Sequence, residues 1–414
     1  MGLLEQLKRL GPGLVTGAAD DDPSGIATYS QAGAQFGPTL LWTLVFTYPF
    51  MVAVQLLSAR IGRVTGKGLV HSLGTILPRW VVIGLAGLLF VANTINVGAD
   101  LAAMGEAAAL IVGRGQLLFT VAFAVASLML QLWIPYHRYA AYLKWLTLVL
   151  LAYIALLFVV KIDWSTVAVG LLLPRVTERD AVTTVVAIFG TTISPYLFVW
   201  QASQEVEEIH RIPERKPLEQ APSQGEDALV RIRWDTLIGM AVSNIVGLSI
   251  MLGAAATLHA AGRLNIESAA EAAKALQPIA GNFASVVFSL GIIGTGMLAI
   301  PVLAGSSAYA ICEVGGWRAS LERRPQRAKA FYAVIALGVC LGLSIEWTPL
   351  SPIKALFWSA VVNGVVAVPI LAGLMIAASK GSIMGEYAAP LPLKFLGWLT
   401  AILMAVTVVA MVLV

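Results

Sequence analysis

Charge is what this sequence has least of. Only 12% of its 414 residues are Asp, Glu, Lys or Arg, where a water-soluble chain carries about 25%. That scarcity excludes an ordinary soluble domain. Cysteine and histidine are nearly absent as well, at two and four residues. Cys312 and Cys340 lie far apart and read as buried apolar positions, not a disulfide. His71, His137, His210 and His259 all fall near the ends of apolar runs, which leaves no His for a relay at mid-membrane. HExxH, GxSxG and a phosphate-binding glycine loop are missing, so no enzyme is expected and no cofactor is implied. Residues 1–10 are short, polar and basic and do not read as a cleavable leader. The net charge of +4 does not signal nucleic acid, because the basic residues sit in loops between apolar runs.

What the chain has is long apolar segments. It is 58% hydrophobic, with a mean hydropathy of +0.82. About 20 apolar residues cross a bilayer as a helix. Eleven spans are predicted, at 13–37, 39–61, 79–112, 117–134, 140–162, 181–209, 229–259, 278–312, 327–345, 352–378 and 393–414. With the N-terminus inside, 20 of the 27 Lys and Arg fall in cytoplasmic segments, as the positive-inside rule asks. A multi-pass inner-membrane protein follows, N-terminus cytoplasmic, C-terminus outside, and monomeric.

Two spans carry a break. The first reads Ala18-Ala19-Asp20-Asp21-Asp22-Pro23-Ser24-Gly25, three acids inside an apolar run. Each Asp costs about 2.5–3.5 kcal/mol at the centre of a spanning helix. Pro23 disfavours helical geometry at Asp22, and Gly25 permits angles other residues avoid. The helix is therefore expected to open around a protected cavity. The sixth span breaks similarly, at Gly190-Thr191-Thr192-Ile193-Ser194-Pro195-Tyr196. Interrupted helices at matching positions of two five-span halves predict an inverted-repeat transporter. The first repeat is 1–162, the second 163–380 with a mobile cytoplasmic linker at 210–228, and 381–414 adds an eleventh helix.

Acids at a break favour cations. Asp22 is the best ligand, because it directly precedes Pro23; Asp20 and Asp21 are assigned to the cavity or its mouth. Across the gap stand Thr191, Thr192, Ser194 and Tyr196. All are hard oxygen donors, which suit Mg²⁺, Ca²⁺ and Mn²⁺ better than copper or zinc. Mg²⁺ in particular keeps several of its waters. Asp100 either relays protons and shapes the cavity or pairs with a neighbouring helix. Asn363 either reaches the site or makes an interhelical hydrogen bond. Glu106 and the run Gln204, Glu205, Glu207 and Glu208 are expected to be solvated helix ends. Trp42, Trp317, Trp347 and Trp358 fit interfacial anchors.

These motifs resemble the Nramp family of divalent metal transporters. The resemblance rests on Gly11-Pro12-Gly13, Asp22-Pro23-Ser24-Gly25, the stretch from Gly190 to Tyr196, and the small residues from Gly294-Thr295-Gly296 to Gly305-Ser306-Ser307. It implies the LeuT-type 5+5 inverted repeat, with helices 1 and 6 broken at the midplane. The family's motifs are normally Asp-Pro-Gly-Asn and Met-Pro-His. By position, Asp22 matches the metal-binding Asp. Gly25 stands where the ligand Asn belongs, Ser194 where the Met belongs and Tyr196 where the His belongs. Ala19 and Thr191 match positions whose carbonyls face the ion, and Ser24 lies beside them. Asp100 matches the acid of the proton pathway, but its usual Glu partner is Ala103 here. The pattern resembles the Nramp-related magnesium transporter branch, which implies import of Mg²⁺ and also Mn²⁺. The alternatives are a proton-coupled Mn²⁺/Fe²⁺ importer and, on the same fold, an amine or amino-acid transporter.

Overall fold

The computed structural model describes residues 16, 17, 19–136, 138, 143, 146–176, 178–322 and 325–413. Gly11-Pro12-Gly13, Ala18, His137, and the beginnings of the first and fifth predicted spans lie outside the described residues. Among the described residues the structure is helical throughout, without a strand. The longer helices are α1 (Pro23–Phe36), α2 (Trp42–Thr65), α3 (Arg79–Val112), α4 (Gln116–Trp133), α5 (Arg179–Thr192), α6 (Pro195–Arg211), α7 (Gly225–Ala254), α8 (Ala284–Gly315), α9 (Lys329–Gly342), α10 (Pro352–Ser379) and α11 (Leu391–Leu413).

Nine helical stretches among the described residues are long and apolar enough to cross a membrane. They coincide with predicted spans 2–4 and 6–11. Burial separates centre from periphery. The stretch through α5 and α6 is 89% enclosed, whereas α4 and α11 are only 22% enclosed. Side chains such as Leu118, Val125, Ile402 and Val409 stand exposed on those outer helices, and in a bilayer they meet lipid. Cys340, on α9, belongs to this exposed class. That corrects the expectation that both cysteines are buried: an apolar residue in a membrane helix is as stable against lipid as against protein.

Small residues let the central helices approach closely, as membrane packing favours. A Cβ on Gly190 of α5 would overlap the Ala360 carbonyl and the Gly364 backbone of α10. Asn93 of α3 joins α8 through the Leu303 carbonyl at 3.0 Å and the Ser306 and Ser307 hydroxyls at 2.9 Å.

Part of the segment after α6, expected as a mobile linker, docks on the end of α2. Leu218 is fully buried. Its N–H donates to the Arg63 carbonyl at 3.2 Å, and Arg63 Nη1 donates to the Lys216 carbonyl at 2.7 Å.

Candidate functional site

The first break forms as the sequence dictates. Residues 19 and 20 are helical, Asp21 bends, and Asp22 is extended at φ −68°, ψ 169° ahead of Pro23 at the start of α1. Pro needs no amide partner in the first helical turn, and Asp is a favoured N-cap. Asp22 Oδ1 accepts from the Gly25 N–H at 2.7 Å and from Ser24 Oγ at 2.7 Å. The second break mirrors it. Helix α5 stops at Thr192, Ser194 is extended at φ −67°, ψ 134°, and Pro195 opens α6.

The two breaks meet at Asp22. Tyr196 Oη lies 3.3 Å from Asp22 Oδ2 and 3.3 Å from the Ala19 carbonyl. From α3, Asn96 Nδ2 donates to Asp22 Oδ2 at 3.1 Å and to Asp100 Oδ2 at 3.3 Å. Asn363 of α10 donates to Asn96 Oδ1 at 2.9 Å. Ala19, Asp22, Asn96, Asp100, Tyr196 and Asn363 are each at most 1% exposed. Asp100 thus belongs to the site through Asn96, and Asn363 stands one residue further back. The sequence reading had not singled out Asn96. Its spacing from Asp100, one helical turn on the same face, was the available signal.

Ser194 behaves differently from a residue facing across the gap. Its hydroxyl lies 2.6 Å from the Gly190 carbonyl and 2.8 Å from the Thr191 carbonyl, the latter without a Pro195 N–H to bond. Thr192 likewise turns back, onto Ile188 at 2.8 Å. Thr191 is buried against the first turn of α1, where a Cβ on Gly25 would sit 3.1 Å from its Oγ1. Asp20 and Asp21 point another way. Both are buried, and Ser243 of α7 bonds Asp20 Oδ2 and lies 3.2 Å from Asp21 Oδ1. The three acids therefore split, Asp22 toward α3 and α6, Asp20 and Asp21 toward α7.

The acids below the second break are not a solvated helix end. Glu205 is fully buried, and Glu207 and Glu208 nearly so. Arg231 of α7 reaches Glu205 at 2.6 Å and Glu208 at 3.0 Å, while Arg215 pairs with Glu208. Glu207 accepts from Tyr309 and Ser320 at 2.9 Å each. Glu106 is half-buried, with Oε1 taking the Ala269 N–H at 2.9 Å. In each case a partner remote in sequence supplies the compensation that burial of a charge requires.

What the arrangement can do follows from its charges. Among the described residues, no Lys or Arg pairs with Asp20, Asp21, Asp22 or Asp100. Asp20 Oδ1, Asp100 Oδ1 and Asn363 Oδ1 have no hydrogen-bond partner there. Buried carboxylates without a basic partner attract a cation. No group of three or more His, Cys, Asp or Glu among the described residues is arranged to hold a metal. A metal cation at Asp22 would thus depend on neutral oxygens and its own water.

The chain is similar to known proteins in sequence and in fold. The family model described as natural resistance-associated macrophage protein-like matches residues 13–414. A divalent metal cation transporter, MntH, of Yersinia pestis is 31% identical over 303 residues, covering 70% of this chain and 69% of the relative. A crystal structure of the Eremococcus coleocola manganese transporter superposes with a TM-score of 0.75 at 18% identity, covering 97% of this chain and 85% of that one. Mhp1, a nucleobase-cation-symport-1 family transporter, superposes with a TM-score of 0.57 at 13% identity, covering 97% and 92%. The fold is the all-helical, LeuT-like fold of membrane transporters, and on the extent of the family match the chain belongs to the Nramp family.

Proposed function

We propose that this protein imports divalent cations, Mg²⁺ and also Mn²⁺, by alternating access around a site at Asp22. The observation that carries this reading is the meeting of two helix interruptions, where Tyr196 spans Asp22 and the Ala19 carbonyl. The relatives named for divalent metal and manganese transport support the substrate class. The donor set supports a hard, partly hydrated ion: carboxylate, carbonyl, hydroxyl and amide oxygen, with no sulfur or imidazole at either break. Asp22 binds the ion; the Ala19 and Thr191 carbonyls, Gly25 and Ser194 shape the space for its water. Asp20 and Asp21 supply negative potential from the α7 side. The architecture that goes with this reading has eleven spans, a 5+5 inverted repeat at 1–162 and 163–380, a cytoplasmic N-terminus and a monomeric unit.

Two cavities are the candidate access routes. One is lined by Gln31, Asp180, Thr183, Lys354 and Trp358, and another by Lys67, His71, Glu207, Tyr309 and Glu313. On the charge-derived orientation the first is external and the second cytoplasmic. Uptake into proteoliposomes tests the site. Asp22→Asn should abolish Mn²⁺ entry while the protein stays monodisperse and folded. Entry at the wild-type rate would remove Asp22 from the path.

A second reading, a proton-coupled Mn²⁺/Fe²⁺ importer, is favoured by one observation: Asp100 is linked to Asp22 through a single amide. Lumenal acidification that tracks metal uptake and vanishes in Asp100→Asn would favour it.

A further inference from the structure

We infer that Asn96 is a positioning residue for the cation site: its amide orients the Asp22 carboxylate and ties it to Asp100 and to α10. The inference rests on the reading of Asp22 as the ion's ligand.

A primary amide has two N–H donors and one carbonyl acceptor. Here the nitrogen faces two carboxylates, Asp22 at 3.1 Å and Asp100 at 3.3 Å. The oxygen accepts from Asn363 at 2.9 Å. The opposite amide orientation would set the carbonyl against both carboxylates and the two nitrogens against each other. Charge and the Asn363 donor thus select the same sense. Asp22 Oδ1 is held within its own segment, by Ser24 and the Gly25 N–H. Among the described residues, only Oδ2 is addressed from other helices, by Tyr196 on α6 and by Asn96 on α3. Tyr196 rides directly behind the second break. Asn96 rides on an unbroken helix of 34 residues. One turn earlier Asn93 anchors that helix to α8. Asn96 is therefore the fixed reference against which Oδ2 is aimed.

Partners that orient metal ligands are worth 10- to 100-fold in metal affinity when removed. A residue that merely satisfies buried acids would lower stability and leave affinity in the folded protein unchanged. Calorimetric titration of the full-length protein in detergent with Mn²⁺ separates the two. Asn96→Leu keeps the branching and removes both polar atoms. Its Kd should rise about 10- to 100-fold; a wild-type Kd in the folded variant would overturn the inference. If Asn96→Leu is not monodisperse, Asn363→Leu carries the test, since it frees the Asn96 carbonyl and touches no atom of Asp22. A raised Kd there upholds the inference and an unchanged one sinks it. In the Asp100→Asn background, Asn96→Leu should change Kd less than in wild type, because the two share one bridge. Simple additivity would contradict the tie to Asp100. Asp22→Asn run alongside separates the two levels. Lost binding there with wild-type binding in Asn96→Leu defeats only the inference, whereas unchanged binding in Asp22→Asn defeats the ligand reading as well.

Discussion

Asp22 does two things with one carboxylate. Oδ1 caps α1, and Oδ2 faces Asn96 and Tyr196. The cap fixes where the helix restarts, so the Asp22 carboxylate and the break are inseparable. Tyr196 closes the gap from the other half, and its hydroxyl is the direct link from α6 to both Asp22 and Ala19. Removing it in Tyr196→Phe leaves buried acceptors short of a donor, which costs about 1–3 kcal/mol. A lowered melting temperature in detergent is the expected outcome, and an unchanged one would show that the link carries no energy. Much at this scale was legible from the sequence. Asp22 and Ser194 each precede a proline, and proline constrains its predecessor whatever surrounds it. The turn of Ser194 back onto its own helix was not legible, because a hydroxyl's choice between gap and carbonyl depends on geometry across several residues. Asn96 was missed although its one-turn spacing from Asp100 puts the two on one helix face, because that spacing does not show that the face meets Asp22.

Helix α6 is held at both ends. Its start meets Asp22, and its far end is clamped to α7 by Arg231 between Glu205 and Glu208. Glu207 adds a tie to Tyr309 of α8. An element expected to hinge is thus fastened away from Asp22 by charge as well as by apolar packing. Arg231→Leu would leave the buried Glu205 carboxylate uncompensated and Glu208 with Arg215. Breaking a buried pair from one side costs about 3–5 kcal/mol, so a clearly lowered melting temperature is expected in detergent. An unaltered melt would mean that the clamp does not hold α6. Sequence reasoning took these acids for a solvated helix end, since a charge run usually is one. Arg231, separated by the segment that docks on α2, reverses that reading. Long apolar helices were legible because hydropathy depends on local composition. Long-range charge pairing was not, because it depends on which helices meet.

Across the whole molecule, the described helices bury the residues around Asp22. The class of fold was legible from two interruptions at matching places. The ion was less so: a donor set of hard oxygens narrows the field to cations that tolerate few protein ligands and retained water. A magnesium-competent site would differ in that way from one built around sulfur or imidazole. Competition for uptake is therefore the decisive measurement. Proteoliposomes holding the full-length protein are given trace Mn²⁺ against millimolar Mg²⁺, with Mg²⁺ entry followed in parallel. The expected result is that Mg²⁺ enters and suppresses Mn²⁺ uptake, with both lost in Asp22→Asn. Mn²⁺ uptake that millimolar Mg²⁺ neither shares nor suppresses would contradict it.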